Sequence, residues 1–139
     1  MGRILAIDYG KKRTGIAVTD VLQLIANGLT TVPTNELQAY ILDYVSKEPV
    51  DKIIIGRPKQ MNNEDSENMK NITPFVSSIT AQINIPIEFF DERFTSVIAQ
   101  RTMIDGGLKK KARQNKALVD EISATIILQS YLESMKFRH

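Results

Sequence analysis

The chain has 139 residues, a formal net charge of +2, 42% hydrophobic and 24% charged residues, and no cysteine. That length fits a single domain, 1–139, that can bury a conventional core, and the composition argues for neither disorder nor a membrane protein. Without cysteine there are no disulfides, thiolate metal sites or cysteine nucleophiles, and with the one histidine at His139, chemistry falls mainly to carboxylates, lysine and tyrosine.

No stretch is long or apolar enough for a signal peptide or a bilayer span, so a soluble, cytoplasmic protein is expected. The small net charge does not itself point to nucleic acid; only a local concentration of cations could.

Taken in order, Ile4–Ile7 is a short continuous apolar run, the pattern of a strand buried on both faces, and Asp8 sits at its end. A bare carboxylate there is costly unless a metal or hydrogen-bond donors compensate it. Gly10 and Gly15 bracket Lys11, Lys12 and Arg13, and Ile16–Val18 resume the apolar pattern, which predicts a hairpin presenting amides and cations near Asp8. An ordinary polar turn explains this segment about as well as a phosphate or metal site, so the acids downstream must decide.

Ala26–Val32 predicts a third strand closed by Pro33, and Thr34 or Asn35 can cap a helix with Leu37, Ile41, Tyr44 and Val45 on one face. Lys52–Gly56 reads as a buried strand reached by a helical crossover and hence parallel to the first, which makes the sheet mixed. The polar loop at Arg57–Asp65 follows it, where α/β proteins usually bind ligands. A helix from about Ser66 contains Pro74, expected to kink it or mark its restart, and buries Phe75, Val76, Ile79 and Ile83. Ile85–Phe90 predicts the last strand, ended by Asp91-Glu92-Arg93.

Thr95 or Ser96 can cap a further helix that Gly106-Gly107 stops, and Lys109, Lys110, Lys111, Arg113 and Lys116 crowd the loop beyond it. Such a run is either solvated or a contact for a phosphate backbone. The closing helix, from roughly Ala117 to Lys136, carries Asp120 near its start, where the helix dipole alone would favour an acid.

Asp91 and Glu92 point to opposite sides of an extended strand, so only one of them can share a site with Asp8. Parallel strands ending at one sheet edge, with a helix packed across them, could bring Asp8, Glu92 and Asp120 together. Their mutual repulsion would call for a divalent cation, and hard oxygen donors point to Mg²⁺ or Mn²⁺, as two ions in hydrolytic phosphodiester chemistry.

Four segments, DYGKKRTGIAVTD at Asp8–Asp20, GRPKQM at Gly56–Met61, DERFTS at Asp91–Ser96 and KALVDEISATIILQSYL at Lys116–Leu132, closely resemble the YqgF/RuvX family of small bacterial proteins. The resemblance spans nearly the whole chain. It implies an α/β, RNase H-like fold with a five-stranded mixed sheet flanked by helices, and a magnesium-dependent nuclease whose acids correspond to Asp8, Glu92 and Asp120. The family's two ascribed activities are maturation of the 5′ end of pre-16S ribosomal RNA and resolution of Holliday junctions.

Two departures qualify the match. Gly56-Arg57-Pro58 and Met61–Asp65 replace the family's usual loop, and Lys52–Gly56 holds no acid where related resolvases carry their second carboxylate, so Glu92 must reach the site from one strand further away. Glu64 or Asp65 could take its place.

The expected substrate contacts are Gly10, Lys11, Lys12, Arg13, Arg93, Thr95, Lys109, Lys110, Lys111 and Arg113. The expected partner is nucleic acid, structured RNA or branched DNA, with a ribosomal precursor particle as a further candidate. A binding or ribosome-assembly protein without efficient catalysis is the second reading. An actin-like nucleotide-binding module is the third, and the chain carries neither the second Asp-x-Gly loop nor the adenosine site it would need.

Overall fold

The computed structural model describes residues 2–57, 69–92 and 116–136, with side chains of the last segment described from 121 to 135. Five strands, β1 (Arg3–Asp8), β2 (Arg13–Thr19), β3 (Ala26–Pro33), β4 (Val50–Arg57) and β5 (Ile87–Asp91), form one sheet in the order β3-β2-β1-β4-β5. β1, β2 and β3 pair antiparallel, whereas β1, β4 and β5 run parallel. The mixed sheet expected from the helical crossover is the one observed. Among the described residues three helices flank it: α1 (Leu37–Lys47), α2 (Met69–Thr80) and α3 (Lys116–Lys136).

β1 is central and buried along Ile4–Ile7, so its side chains alternate between two cores. One face, with Leu5, Ile7, Ile16, Val18, Ile53 and Ile55, packs on Leu37 and Ile41 of α1 and Ile72 and Ile79 of α2. The other, with Ile4, Ala6, Ala17, Ala26 and Ile54, packs on Ala124, Ile127, Leu128, Tyr131 and Leu132 of α3. The first face is branched and bulky. The second is largely alanine, and it lets α3 lie close against the strands.

α3 crosses the sheet obliquely. Glu121 lies against Gly28 of β3, Ile127 against Gly56 of β4, and Tyr131 meets Phe90 of β5 edge to face, with ring centroids 6.3 Å apart. Lys52 fastens the far end: its ammonium donates to the Tyr131 hydroxyl at 2.9 Å and lies 3.1 Å from Glu88 of β5. The Tyr131 hydroxyl in turn donates to Glu88 at 3.3 Å. One cation thus ties two strands to the helix, and the Tyr131 bond is the main reason the Lys52 pKa is raised.

Three expectations need correction. Neither Thr34 nor Asn35 caps α1; Thr34–Glu36 forms a 3-10 turn, Glu36 precedes the helix, and no side chain caps either element. The Thr34 hydroxyl is used elsewhere, donating to the Gly10 carbonyl at 2.6 Å. The last strand begins at Ile87 rather than Ile85 because Pro86 has no N–H to donate, although its carbonyl accepts from Ile53 at 2.9 Å. α2 runs through Pro74 without a break between Met69 and Thr80, and it buries Ile72, which the expected apolar face omitted. The expected helix start at Ser66 and the Thr95–Gly107 helix lie outside the described residues.

The close seat of α3 makes a specific demand on Ala17, which is fully buried beneath it. Ala17→Leu should destabilise the protein by about 1–3 kcal/mol through overpacking, although it adds apolar volume. Urea unfolding measures this, and stability equal to wild type would refute the tight seat.

Candidate active site

β1, β4 and β5 are parallel, so Asp8, Gly56-Arg57 and Asp91-Glu92 come out at the same edge of the sheet. Ile7 pairs with Ile55, which places Asp8 and Gly56 side by side just beyond. Alternation from Ile4 and Ala6 directs Asp8 to the α3 face. Glu92 lies on that face too, its side chain passing over Gly56 next to Ile127. Asp91, the cross-strand partner of Arg57, belongs to the alternate position, and Arg57 itself sits over the Phe89 ring at 5.7 Å. Of the two neighbouring acids, Glu92 is the one whose side chain reaches toward Asp8.

The electrostatics record that approach. Burial is the largest influence on Glu92 and the negative charge of Asp8 the next, followed by Asp91, and together they raise its pKa to about 7. A carboxyl taken out of water beside two like charges holds its proton because ionisation would be opposed both by lost hydration and by repulsion. Asp120 belongs to α3, which covers this face, but its side chain is outside the described residues. Among the described residues, no three acidic, histidine or cysteine side chains gather as a metal-binding group. Glu64 and Asp65 lie outside the described residues.

The basic turn stands at the same edge. Asp8 pairs with Gly15, and Lys11, Lys12 and Arg13 are exposed between β1 and β2. Threonines hold the turn in place: Thr34 donates its hydroxyl to Gly10 and its N–H to the Lys12 carbonyl at 3.0 Å, while the Thr14 and Thr34 hydroxyls are 2.9 Å apart. A Cβ at Gly10 would run into the Arg13 carbonyl oxygen, so the tight turn requires glycine there. The amino-acid order carries no sign of the Thr14–Thr34 clasp, because it joins residues from separate elements. Arg93, Thr95, Lys109, Lys110, Lys111 and Arg113 lie outside the described residues.

Asp20, which closes the first motif, lies at the other end of the sheet. Its carboxylate accepts the N–H groups of Leu24 at 2.8 Å, Ile25 at 2.9 Å and Leu22 at 3.3 Å. These bonds, from Ile25 and Leu24 foremost, lower its pKa. Its work is to shape the turn between β2 and β3, in which Gln23 adopts φ 58°.

Comparison with solved structures shows a shared architecture. RuvC of T. thermophilus in complex with a Holliday junction superposes with a TM-score of 0.60, 14% identity and coverage of 96% of both chains. The Fowlpox virus resolvase in complex with junction DNA gives 0.60, 13% identity and coverage of 96% of this chain and 98% of that one. At such identities the likeness shows the fold, which is RNase H-like.

Relatives in sequence are much more similar. A protein of Phocaeicola vulgatus named "Putative pre-16S rRNA nuclease" is 74% identical over 138 residues, covering 99% of each chain. One of Bacteroides thetaiotaomicron with the same name is 72% identical, covering 99% of this chain and 100% of the relative. The family model of RuvX, described as Holliday junction resolvase, matches residues 2–134, and this chain belongs to that family.

Proposed function

We propose that this protein is a metal-dependent nuclease that hydrolyses phosphodiester bonds in precursor ribosomal RNA, in the cytoplasm, at the 5′ end of pre-16S rRNA. The observation that carries the reading is the meeting of Asp8 and Glu92 on one sheet face, close enough for each charge to burden the other, beside an exposed basic turn. The names borne by the relatives of Phocaeicola vulgatus and Bacteroides thetaiotaomicron support ribosomal RNA as the polymer.

Two acids that repel one another at a half-buried edge fit a hard divalent cation, since its charge would remove the cost of ionising both. Asp8, Glu92 and Asp120 would hold Mg²⁺ or Mn²⁺, as two ions. When bound, such ions polarise the phosphodiester and make an attacking water acidic enough to serve as nucleophile. The chain itself supplies the position. Gly10, Lys11, Lys12 and Arg13 hold phosphates beside Asp8, and Arg93, Thr95, Lys109, Lys110, Lys111 and Arg113 are the further phosphate contacts of this reading. The family's description favours a second substrate, branched DNA of the Holliday type.

A cleavage assay on a pre-16S leader RNA and on a four-way DNA junction, with Mg²⁺ or Mn²⁺ and with EDTA, separates these substrates. The wild type should cut the RNA in the presence of metal only, and Asp8→Asn should lose at least about 100-fold in rate, on the scale of a removed catalytic group. Cutting of the junction alone would transfer the reading to DNA. Cutting of neither, with RNA binding retained, would leave a ribosome-assembly factor.

The raised pKa of Glu92 makes a second test. In the unfolded chain Glu92 ionises near its ordinary value of 4.5, whereas the folded, metal-free protein holds the proton to about 7. Between those values the folded state binds more protons, so metal-free stability should fall as pH rises through this window. Glu92→Gln should flatten the dependence in urea unfolding across pH 4.5–7, and an unchanged slope would refute the assignment.

A further inference from the structure

The acids of this site come from strands that are not neighbours: β4 lies between β1, which carries Asp8, and β5, which leads to Glu92. Adjacent strands are about 4.8 Å apart, so Glu92 must bridge roughly two strand spacings to work with Asp8. Its path runs over β4 on the α3 side. The other β4 positions on that side are filled, Lys52 reaching Tyr131 and Ile54 buried in the core beneath α3. At Gly56 the strand bears no side chain, and Glu92 and Ile127 take up the room a Cβ would need.

We infer that Gly56 is a positioning residue for Glu92: its missing side chain leaves the gap in β4 through which the glutamate reaches Asp8. A Cβ placed on Gly56 would stand 3.3 Å from Cγ and 3.2 Å from the carboxylate carbon of Glu92, and 2.6 Å from Cδ1 of Ile127. The Ile127 contact involves the tip of a flexible side chain. The Glu92 contacts involve the segment that carries the functional carboxylate. A side chain at position 56 therefore makes both neighbours give way, the Glu92 side chain by a few tenths of an ångström and the tip of Ile127 by turning aside.

The same gap explains how the site works with no acid on β4. An acid on the adjacent strand needs no crossing; an acid on the second strand needs both the longer glutamate and a strand between that bears nothing at that point. The inference rests on the reading that Asp8 and Glu92 hold a divalent cation.

Mn²⁺ titration calorimetry tests it without recourse to cleavage. Ile127→Val removes Cδ1, so the pair Gly56→Ala and Ile127→Val exchanges one carbon for another at the 2.6 Å contact and leaves the crowding on Glu92 as the net change. The double variant should melt within a few degrees of Ile127→Val alone yet bind Mn²⁺ about 10-fold more weakly, the lower end of what displaced support of a ligand costs. Adding Glu92→Gln to the double variant should bring no further loss beyond that of Glu92→Gln by itself.

Wild-type Mn²⁺ affinity in the double variant, with affinity lost in Glu92→Gln, would overturn the role of Gly56 alone. Undiminished affinity in Glu92→Gln would overturn the metal-holding reading and this inference with it. Should the double variant fail to fold, Glu92→Asp tests the crossing independently. Withdrawing the carboxylate by one methylene should weaken Mn²⁺ binding to a similar degree, and wild-type affinity there would overturn the crossing.

Discussion

The structure depends on how near α3 can come to the sheet. Ala6, Ala17, Ala26, Gly28 and Gly56 leave a shallow surface, and a helix seated there can touch strands from β3 to β5 at once. Interiors pack at crystal-like density, so this closeness leaves little slack, and a side chain added beneath the helix has to move something. The opposite face is built differently. There Leu5, Ile7, Ile16, Ile53 and Ile55 interlock with two shorter helices, and the bulk of apolar side chains holds α1 and α2 further out. One face is suited to stability, the other to bringing residues from distant strands together.

Electrostatics divide the molecule along the other axis. At one end of β2, Asp20 faces three backbone N–H groups, and those donors favour its ionised form. At the opposite end, burial and the charge of Asp8 oppose ionisation of Glu92. Two carboxyls of similar intrinsic acidity are thus displaced in opposite directions by what surrounds them. The donors around Asp20 already balance its charge, and the loop it shapes needs no other ligand. Glu92 instead feels the added negative charge of Asp8 and Asp91, which is the condition in which a cation contributes most.

Much of this could be read from the amino-acid order. The unbroken apolar run Ile4–Ile7 marked a strand covered on both sides, and the crossover to Lys52–Gly56 made it parallel to β4. α3 begins one residue before its expected start and ends where expected. Asp8 stood out as an acid ending a buried strand, and the alternation of side chains allowed just one of Asp91 and Glu92 to join it. Other features depended on long-range contacts. Thr34 looked like a helix cap, but a carbonyl at Gly10 on a separate turn takes its hydroxyl. The route of Glu92 over β4 depends on the missing side chain at Gly56, whose meaning has no pattern in a sequence until the strands on either side are placed. Likewise, nothing in the order of Leu22, Leu24 and Ile25 shows that Asp20 folds these apolar residues into an exposed turn.

The oblique seat of α3 also has a consequence in time. Residues 3–8 and 116–136 meet only after the intervening chain exists, so a ribosome delivers all five strands well before the helix that crosses them. Until then α1 and α2 can cover their own face of the sheet, but Ile4, Ala6, Ala17 and Ile54 lack the helix they pack on in the folded protein. Pairings of such long sequence separation form slowly. A newly made chain therefore has the residues of all five strands before those of the helix that packs on their alanine-rich face. On the nuclease reading, Asp120 is synthesised after the strands that lead to Asp8 and Glu92.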